Sequence, residues 1–311
     1  MTTAKTAAEH SSLATRAALA SVALALALLI AKAWAAWATD STAMLGSLAD
    51  TALDVIASLT TLLGVRIAAA PADRDHRFGH GKAEALVALA QIALITVSAI
   101  GIAWRAIERL IEGARTEAMG LGIAVSLFAI AATLALLWYQ RGVIRRTASV
   151  AIKTDNVHYK SDLMLNSAVI VALLLDQALH IGGADAAFGI GIALWLLWGA
   201  WRASGEAVNQ LMDREWPATE RQAFLDAAAE HDELRGLHDL RTRKSGTLRF
   251  VQFHVWVPAD WTVRQAHDRL DRVEEALQQR FPGTEILIHV DPEGQIDRET
   301  LLSSELTESA E

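Results

Sequence analysis

Cysteine is absent from all 311 residues. Disulfides and thiolate metal sites are therefore excluded, and any bound metal must be held by nitrogen and oxygen. An HExxH helix is absent too. A metal-dependent hydrolase would need an open metal position with a general base beside it, and no such arrangement is visible. A basic excess is also missing: the formal net charge is −8, which leaves no electrostatic case for nucleic acid. No small-residue cleavage site follows the first apolar stretch, so it reads as a membrane span and not as a removed signal peptide.

Apolar residues dominate what is there. They make up 52% of the chain, and the mean hydropathy is +0.26, too apolar for an ordinary soluble chain of this length. Six apolar runs occupy 13–37, 44–66, 84–110, 118–139, 163–181 and 186–202. About 20 helical residues cross a bilayer, so each run is a candidate span. The fifth helix is expected to start earlier than its run, near Ser149. Trp34 and Trp37 close the first run as interfacial anchors, and Trp195, Trp198 and Trp201 close the sixth. Lys and Arg gather at Lys5 and Arg16, at Arg66, Arg74, Arg77 and Lys82, and along a basic connection at 141–153. The 38–43 connection has none, and Arg109 and Arg115 flank the next one on that side. By the positive-inside rule both termini are cytoplasmic.

Charge divides the chain. Up to Glu206, sixteen Lys and Arg face fifteen Asp and Glu; from Asn209 on, twelve face twenty-one. A near-neutral membrane part is thus followed by an acidic soluble part. In that part 218–231 reads as a helix, 238–243 and 248–257 as strands around a Lys244–Thr247 turn, 263–280 as an amphipathic helix and 285–290 as a strand. The expected organisation is a tail at 1–12, a six-span transmembrane domain at 13–208, an α+β domain of order αββαβ at 209–293, and a disordered tail at 294–311.

Asp50 and Asp54 stand four residues apart within the second apolar run, one turn apart on one helix face. His158 and Asp162 repeat that spacing in the fifth helix. Ionisable groups at membrane depth are costly and mark function by default. Together the two pairs offer three carboxylates and one imidazole, a four-ligand set for a small divalent metal. Asp73, Asp75, His76 and His80 lie in the connection after the second span, where Gly79 would let both imidazoles converge; a solvated, pH-sensitive turn explains them equally well. In the soluble part His238, His254, His267, His289 and Asp291 fall on strand ends and on the long helix, and His289 and Asp291 share one strand face.

These residues sit in ordered motifs: ADTALD at 49–54, PADRDHRFGHGKAEALVALAQ at 71–91, HYKSDLMLN at 158–166, LMDRE at 211–215, HDLRTRKSG at 238–246 and HVDP at 289–292. Over about residues 13–293 the chain resembles the cation diffusion facilitator family, and is similar to its bacterial ferrous-iron/zinc efflux subgroup. The resemblance implies that Asp50, Asp54, His158 and Asp162 form a tetrahedral transport site. It implies a loop site at Asp75, His76 and His80, with Asp73 a neighbouring candidate. It implies a binuclear site at a dimer interface from His238, His254, His267, His289 and Asp291, and a charge interlock of Lys82 with Asp213. It also implies a homodimer in a bacterial inner membrane and a metallochaperone-like soluble domain. Two positions depart from the pattern. Lys160 replaces a neutral residue but points away and can snorkel, and Val290 replaces a polar residue, which weakens the soluble site.

The mechanism follows from charge. Four protein ligands close the shell of a zinc-like ion and leave no position for an activated water, which favours carriage over hydrolysis. Three carboxylates around a dication leave −1; without the ion −3 would remain unless protons replace it. The expectation is proton-coupled efflux of Zn2+, Fe2+, Cd2+, Co2+ or Mn2+ by a non-enzymatic carrier in contact with membrane lipid. The competing reading is a membrane metal sensor or scaffold that does not transport.

Overall fold

Among the described residues, six long helices come first: α1 (Thr2–Thr39), α2 (Thr42–Ala68), α3 (Ala83–Glu112), α4 (Gly120–Thr147), α5 (Val150–Leu179) and α6 (Ala184–Leu211). After them come α7 (Ala218–Ala228), a 3-10 turn (Asp232–Leu234), β1 (His238–Ser245), β2 (Leu248–Val257), α8 (Val263–Arg280) and β3 (Thr284–Pro292). This computed structural model describes residues 2–39, 42–112, 120–179, 184–234, 236–246 and 248–294. The expected disordered tail lies outside the described residues from 295 on, and so does Arg115. One compact unit spans Ser11–Val208 and another is built on the residues from Asn209 on.

Four helices hold a described stretch long and apolar enough to cross a bilayer: Glu9–Ala38, Asp50–Ala68, Ala83–Glu108 and Ser126–Thr147. Helices α5 and α6 match them in length, at 30 and 28 residues. Lys153, Asp155, His158, Lys160 and Asp162 crowd the first half of α5, and α6 carries three Trp and Arg202 among its apolar residues. The bundle is small-residue inside and bulky outside. Ala14, Ala17, Ala18 and Ser21 of α1, Ala57, Ser58 and Thr61 of α2, and Ala85 and Ala88 of α3 are buried. Leu63, Val97, Trp104, Leu134, Trp138, Leu194 and Trp201 are exposed. That inversion suits lipid, where close backbone approach and not hydrophobic burial joins helices. Gly64 shows how close: a Cβ there would collide with the Val87 side chain.

Two expectations need correction. Residues 2–12, read as a polar tail, continue α1. The basic connection at 141–153 is mostly helix: Arg141, Arg145 and Arg146 sit on the last turns of α4, and only Ala148 and Ser149 separate it from α5. Hydropathy marks where a span leaves hydrocarbon, not where the helix stops, and Arg heads reach the polar layer from a continuing helix. Ala148 makes the sharp turn with a left-handed φ of 52°. The early start of α5 follows as expected from its cap: Ser149 Oγ accepts from Ile152 N at 3.3 Å. The buried Glu84 of α3 accepts from Ser149 Oγ at 2.7 Å and from Val150 N at 3.2 Å.

The C-terminal unit has the expected αββαβ order. Its sheet runs β1-β2-β3, with β1 and β2 antiparallel and β2 and β3 parallel; α8 makes the crossover that a parallel pair requires. Val251, Phe253 and Val255 point into a core with Phe224, Leu270, Val273, Leu277 and Ile286. By strand alternation Gln252, His254 and Trp256 occupy the other face of β2. A capping box of Thr262 and Gln265 starts α8.

Candidate metal centres

The first centre is built from α2 and α5. His158 Nε2 lies 3.2 Å from Asp54 Oδ1 and 3.7 Å from Asp162 Oδ2. One ligand atom from each of the three falls within 4.8 Å of the others. Two atoms bound tetrahedrally at about 2.0–2.1 Å sit roughly 3.3–3.4 Å apart, so these spacings fit a shared ion. Asp50 does not join them. Its Oδ2 is 3.7 Å from Arg105 Nη1 of α3. Asp50, Asp54, Arg105, His158 and Asp162 line one cavity of about 380 Å³. The i, i+4 spacing put both aspartates on one face, but a single sequence run gives no sign of a competing cation from another helix.

Beneath this trio lies a hub that sequence reasoning missed. Asp155, fully buried, accepts from Ser21 Oγ at 2.6 Å and Gln140 Nε2 at 2.7 Å. It also accepts from Thr61 Oγ1 and Gln91 Nε2, each at 3.3 Å. One carboxylate thus ties α1, α2, α3 and α4 to α5, one turn from His158. Tyr159 adds a second tie: its hydroxyl donates to Ser21 O at 2.9 Å and lies 2.8 Å from Ser58 Oγ. The only sequence signal was an acid within the polar first half of α5.

The second centre is the loop between α2 and α3. Asp73, His76 and His80 converge within 4.8 Å; Asp75 is not among them. Asp73 Oδ1 accepts from Asp75 N at 2.9 Å and His76 N at 2.6 Å. The His76 amide, chiefly, holds the Asp73 carboxyl below its ordinary value of 3.8. Its other oxygen is 3.3 Å from His80 Nε2, and the two imidazoles lie 4.5 Å apart, ring to ring. This turn selects Asp73, because a carboxylate bonding the amides two and three residues on faces back into the loop.

The third centre sits on the solvent face of the sheet. Strand register sets His238 opposite His254 and His254 opposite His289. Asp291 Oδ2 lies 3.4 Å from His238 Nε2 and 2.9 Å from His254 Nδ1; its Oδ1 is 3.3 Å from His289 Nε2. His238, His254 and Asp291 form the trio within 4.8 Å. His238 Nδ1 is 2.7 Å from Gly236 O, which leaves Nε2 for a ligand. Gly236 has φ +65°, and a Cβ there would collide with the Trp256 ring. His267 is not brought to this cluster. It lies on α8, which packs against Ile288 and Val290 on the opposite sheet face, and lines a separate groove with Asp271 and Glu274.

Asp239 belongs beside this trio and was also missed. Regular alternation would turn it away from His238. A bulge between His238 and Arg241, with φ 50° at Asp239, turns it back. Its Oδ2 is 3.8 Å from His254 Nε2 and accepts from Arg241 Nη2 at 2.9 Å; its buried Oδ1 has no hydrogen-bond partner among the described residues. Lys82 and Asp213 lie in different units. Lys82 directly precedes α3, and Asp213 follows α6 with φ 53° and Arg243 Nη1 at 3.6 Å.

A bundle with a lipid-compatible surface, acids and an imidazole gripping one point inside it, and an appended αββαβ unit define a membrane carrier of cations. The comparisons with known proteins give the family. The family model described as the cation efflux transmembrane domain matches residues 18–212, and that of the cation efflux protein, cytoplasmic domain, matches 216–293. The chain belongs to the cation diffusion facilitator, or cation efflux, family; it is a transporter and not an enzyme. It is 45% identical over 281 residues to the cation-efflux pump FieF of Klebsiella pneumoniae, covering 90% of this chain and 93% of that one. It is 44% identical over 288 residues to FieF of Salmonella newport, covering 92% and 95%. A solved structure of a candidate zinc transporter, CzrB, in its zinc form is 39% identical, with a TM-score of 0.25, covering 28% of this chain and 99% of that one.

Proposed function

We propose that this protein exports a divalent metal ion of the zinc or iron(II) type from the cytoplasm of a bacterium across its inner membrane, in exchange for protons. The observation that carries this reading is the spacing of Asp54, His158 and Asp162, at 3.2 and 3.7 Å about one imidazole nitrogen, within a membrane bundle. Asp50, lining the same cavity, is the fourth ligand of the loaded site. Nitrogen and oxygen donors suit zinc, iron(II), cadmium, cobalt and manganese alike. A non-transporting sensor would have no need for this trio.

Departure of the dication strands three carboxylates in a low-dielectric cavity, so protons entering from outside replace it. Relative motion of α2 and α5 exposes the site to either side in turn. The chain works as a homodimer with both termini in the cytoplasm, and Lys82 with Asp213 links membrane and soluble parts. The loop trio gathers cytoplasmic metal. The sheet cluster senses it and biases the transport cycle.

Uptake into proteoliposomes with an imposed pH difference, tested ion by ion, examines this directly. Wild-type protein is expected to accumulate zinc against the proton gradient, and Asp54→Ala protein is not. Undiminished accumulation by Asp54→Ala overturns the assignment.

A further inference from the structure

We propose that Arg105 is a built-in competitor of the transported metal: its guanidinium shares Asp50 with the ion and so sets how tightly the membrane site holds its cargo. This rests on the reading of Asp50, Asp54, His158 and Asp162 as the transport site.

Asp50 is one turn from Asp54 on the same face of α2, yet its Oδ2 lies 3.7 Å from Arg105 Nη1 while the other three groups converge without it. Both members of this pair and all of the trio line the same cavity, so a cation at the trio and the guanidinium occupy one space. Arg105 stands in the last turn of the apolar span Ala83–Glu108, and its side chain and that of Asp50 are both more than half exposed, so the pair is only weakly held. The contact is one nitrogen to one oxygen. It lacks the two parallel bonds that make an arginine–carboxylate pair hard to exchange, so Asp50 is free to change partners.

Charge then decides the effect. Three carboxylates and a dication sum to −1; with Arg105 beside them the loaded cavity is neutral. Without the ion, the guanidinium leaves −2 where −3 would stand. Arg105 therefore weakens the pull on the dication and softens the cost of its departure. A carrier must let go as well as bind, and a resident cation that reclaims Asp50 favours release.

The test uses full-length protein in proteoliposomes and zinc as the probe. Arg105→Gln and Arg105→Met are each expected to lower the KM for zinc by roughly two- to fivefold, the range of an exposed ion pair. They also lower the maximal rate, because release slows; Arg105→Lys stays close to wild type. In an Asp50→Asn background the same Arg105 substitutions must have little further effect on KM, since the two residues act as one unit. An unchanged KM in both neutral variants, or a full effect that persists with Asn at position 50, overturns the proposal. Asp54→Ala separates the two layers: if it transports like wild type, the site reading itself fails; if it is inactive while Arg105 variants keep wild-type KM, only the role of Arg105 fails.

Discussion

Replacing Asp155 by Asn is a demanding test of how the bundle is held together. The carboxylate accepts four hydrogen bonds from four different helices. Two of those donors have an alternative: Ser21 Oγ can turn to Ala17 O at 3.2 Å, and Thr61 Oγ1 to Ala57 O at 3.1 Å. The Gln140 amide has less choice. Gln140 Nε2 also reaches Ser21 Oγ at 3.0 Å, so it keeps one partner and strands one N–H, while Gln91 Nε2 also reaches Thr61 Oγ1 and Ala57 O and keeps both. An Asn amide turned toward Ser21 and Gln140 would set donor against donor. Interhelical bonds in bilayer proteins average about 0.6 kcal/mol, so four of them set a floor near 2 kcal/mol. One stranded buried donor at about 1–3 kcal/mol adds to this, offset by no longer desolvating a carboxylate. We expect Asp155→Asn to cost about 2–4 kcal/mol, and Ser21→Ala, which leaves the Gln140, Thr61 and Gln91 bonds to Asp155 in place but removes the one from Gln140 to Ser21 Oγ, about 1–2 kcal/mol. Reversible unfolding in mixed detergent micelles measures both. An Asp155→Asn value within about 0.5 kcal/mol of wild type, the range of an ordinary surface change, would refute the reasoning.

Two further outcomes can be checked. Asp239→Asn, measured by zinc titration of the full chain carrying Asp54→Ala, should weaken the sheet site by roughly tenfold, as loss of a carboxylate behind a ligating imidazole does; unchanged affinity removes Asp239 from that site. In the α2–α3 loop the Asp73 carboxyl is held below 3.8 by the His76 amide, so its contribution to loop order is complete above that value and is lost as pH falls through the depressed pKa. Carbon-detected NMR of Asp73 should find it still ionised at pH 3.8, and a midpoint at or above 3.8 contradicts the turn.

Regular periodicity was legible in the sequence, and irregular backbone was not. β2 and α8 keep the bounds that alternation and amphipathic spacing assign to them, because nothing at their ends competes with the pattern. His158 and Asp162 were legible for the same reason: a continuous helix fixes their common face. Asp239 was not, since a bulge reverses the side of the strand it occupies. Asp75 was preferred to Asp73 by resemblance, and a turn closed by two amide bonds decides otherwise. His267 was grouped with its fellows by resemblance, and within one chain α8 carries it to the other face of the sheet. Asp50 and Asp155 depend on which other helices come alongside, and that is tertiary information which no single segment contains.

The two half-buried clusters differ in what binds their members to one another, and that difference bears on their division of labour. His238, His254 and Asp291 stand on three neighbouring strands whose ladder fixes their register; parting them means breaking backbone hydrogen bonds. Asp54 on α2 and His158 with Asp162 on α5 are joined across helices by side chains alone, through contacts such as Ser58 with Tyr159. A slide of one helix past the other by a turn, about 5.4 Å, removes Asp54 from reach and leaves every intrahelical bond intact. Dismantling the bundle cluster therefore requires no unfolding, while dismantling the sheet cluster does. That contrast fits the roles proposed above for similar ligands: in the bundle to hand an ion over, and on the sheet to keep it.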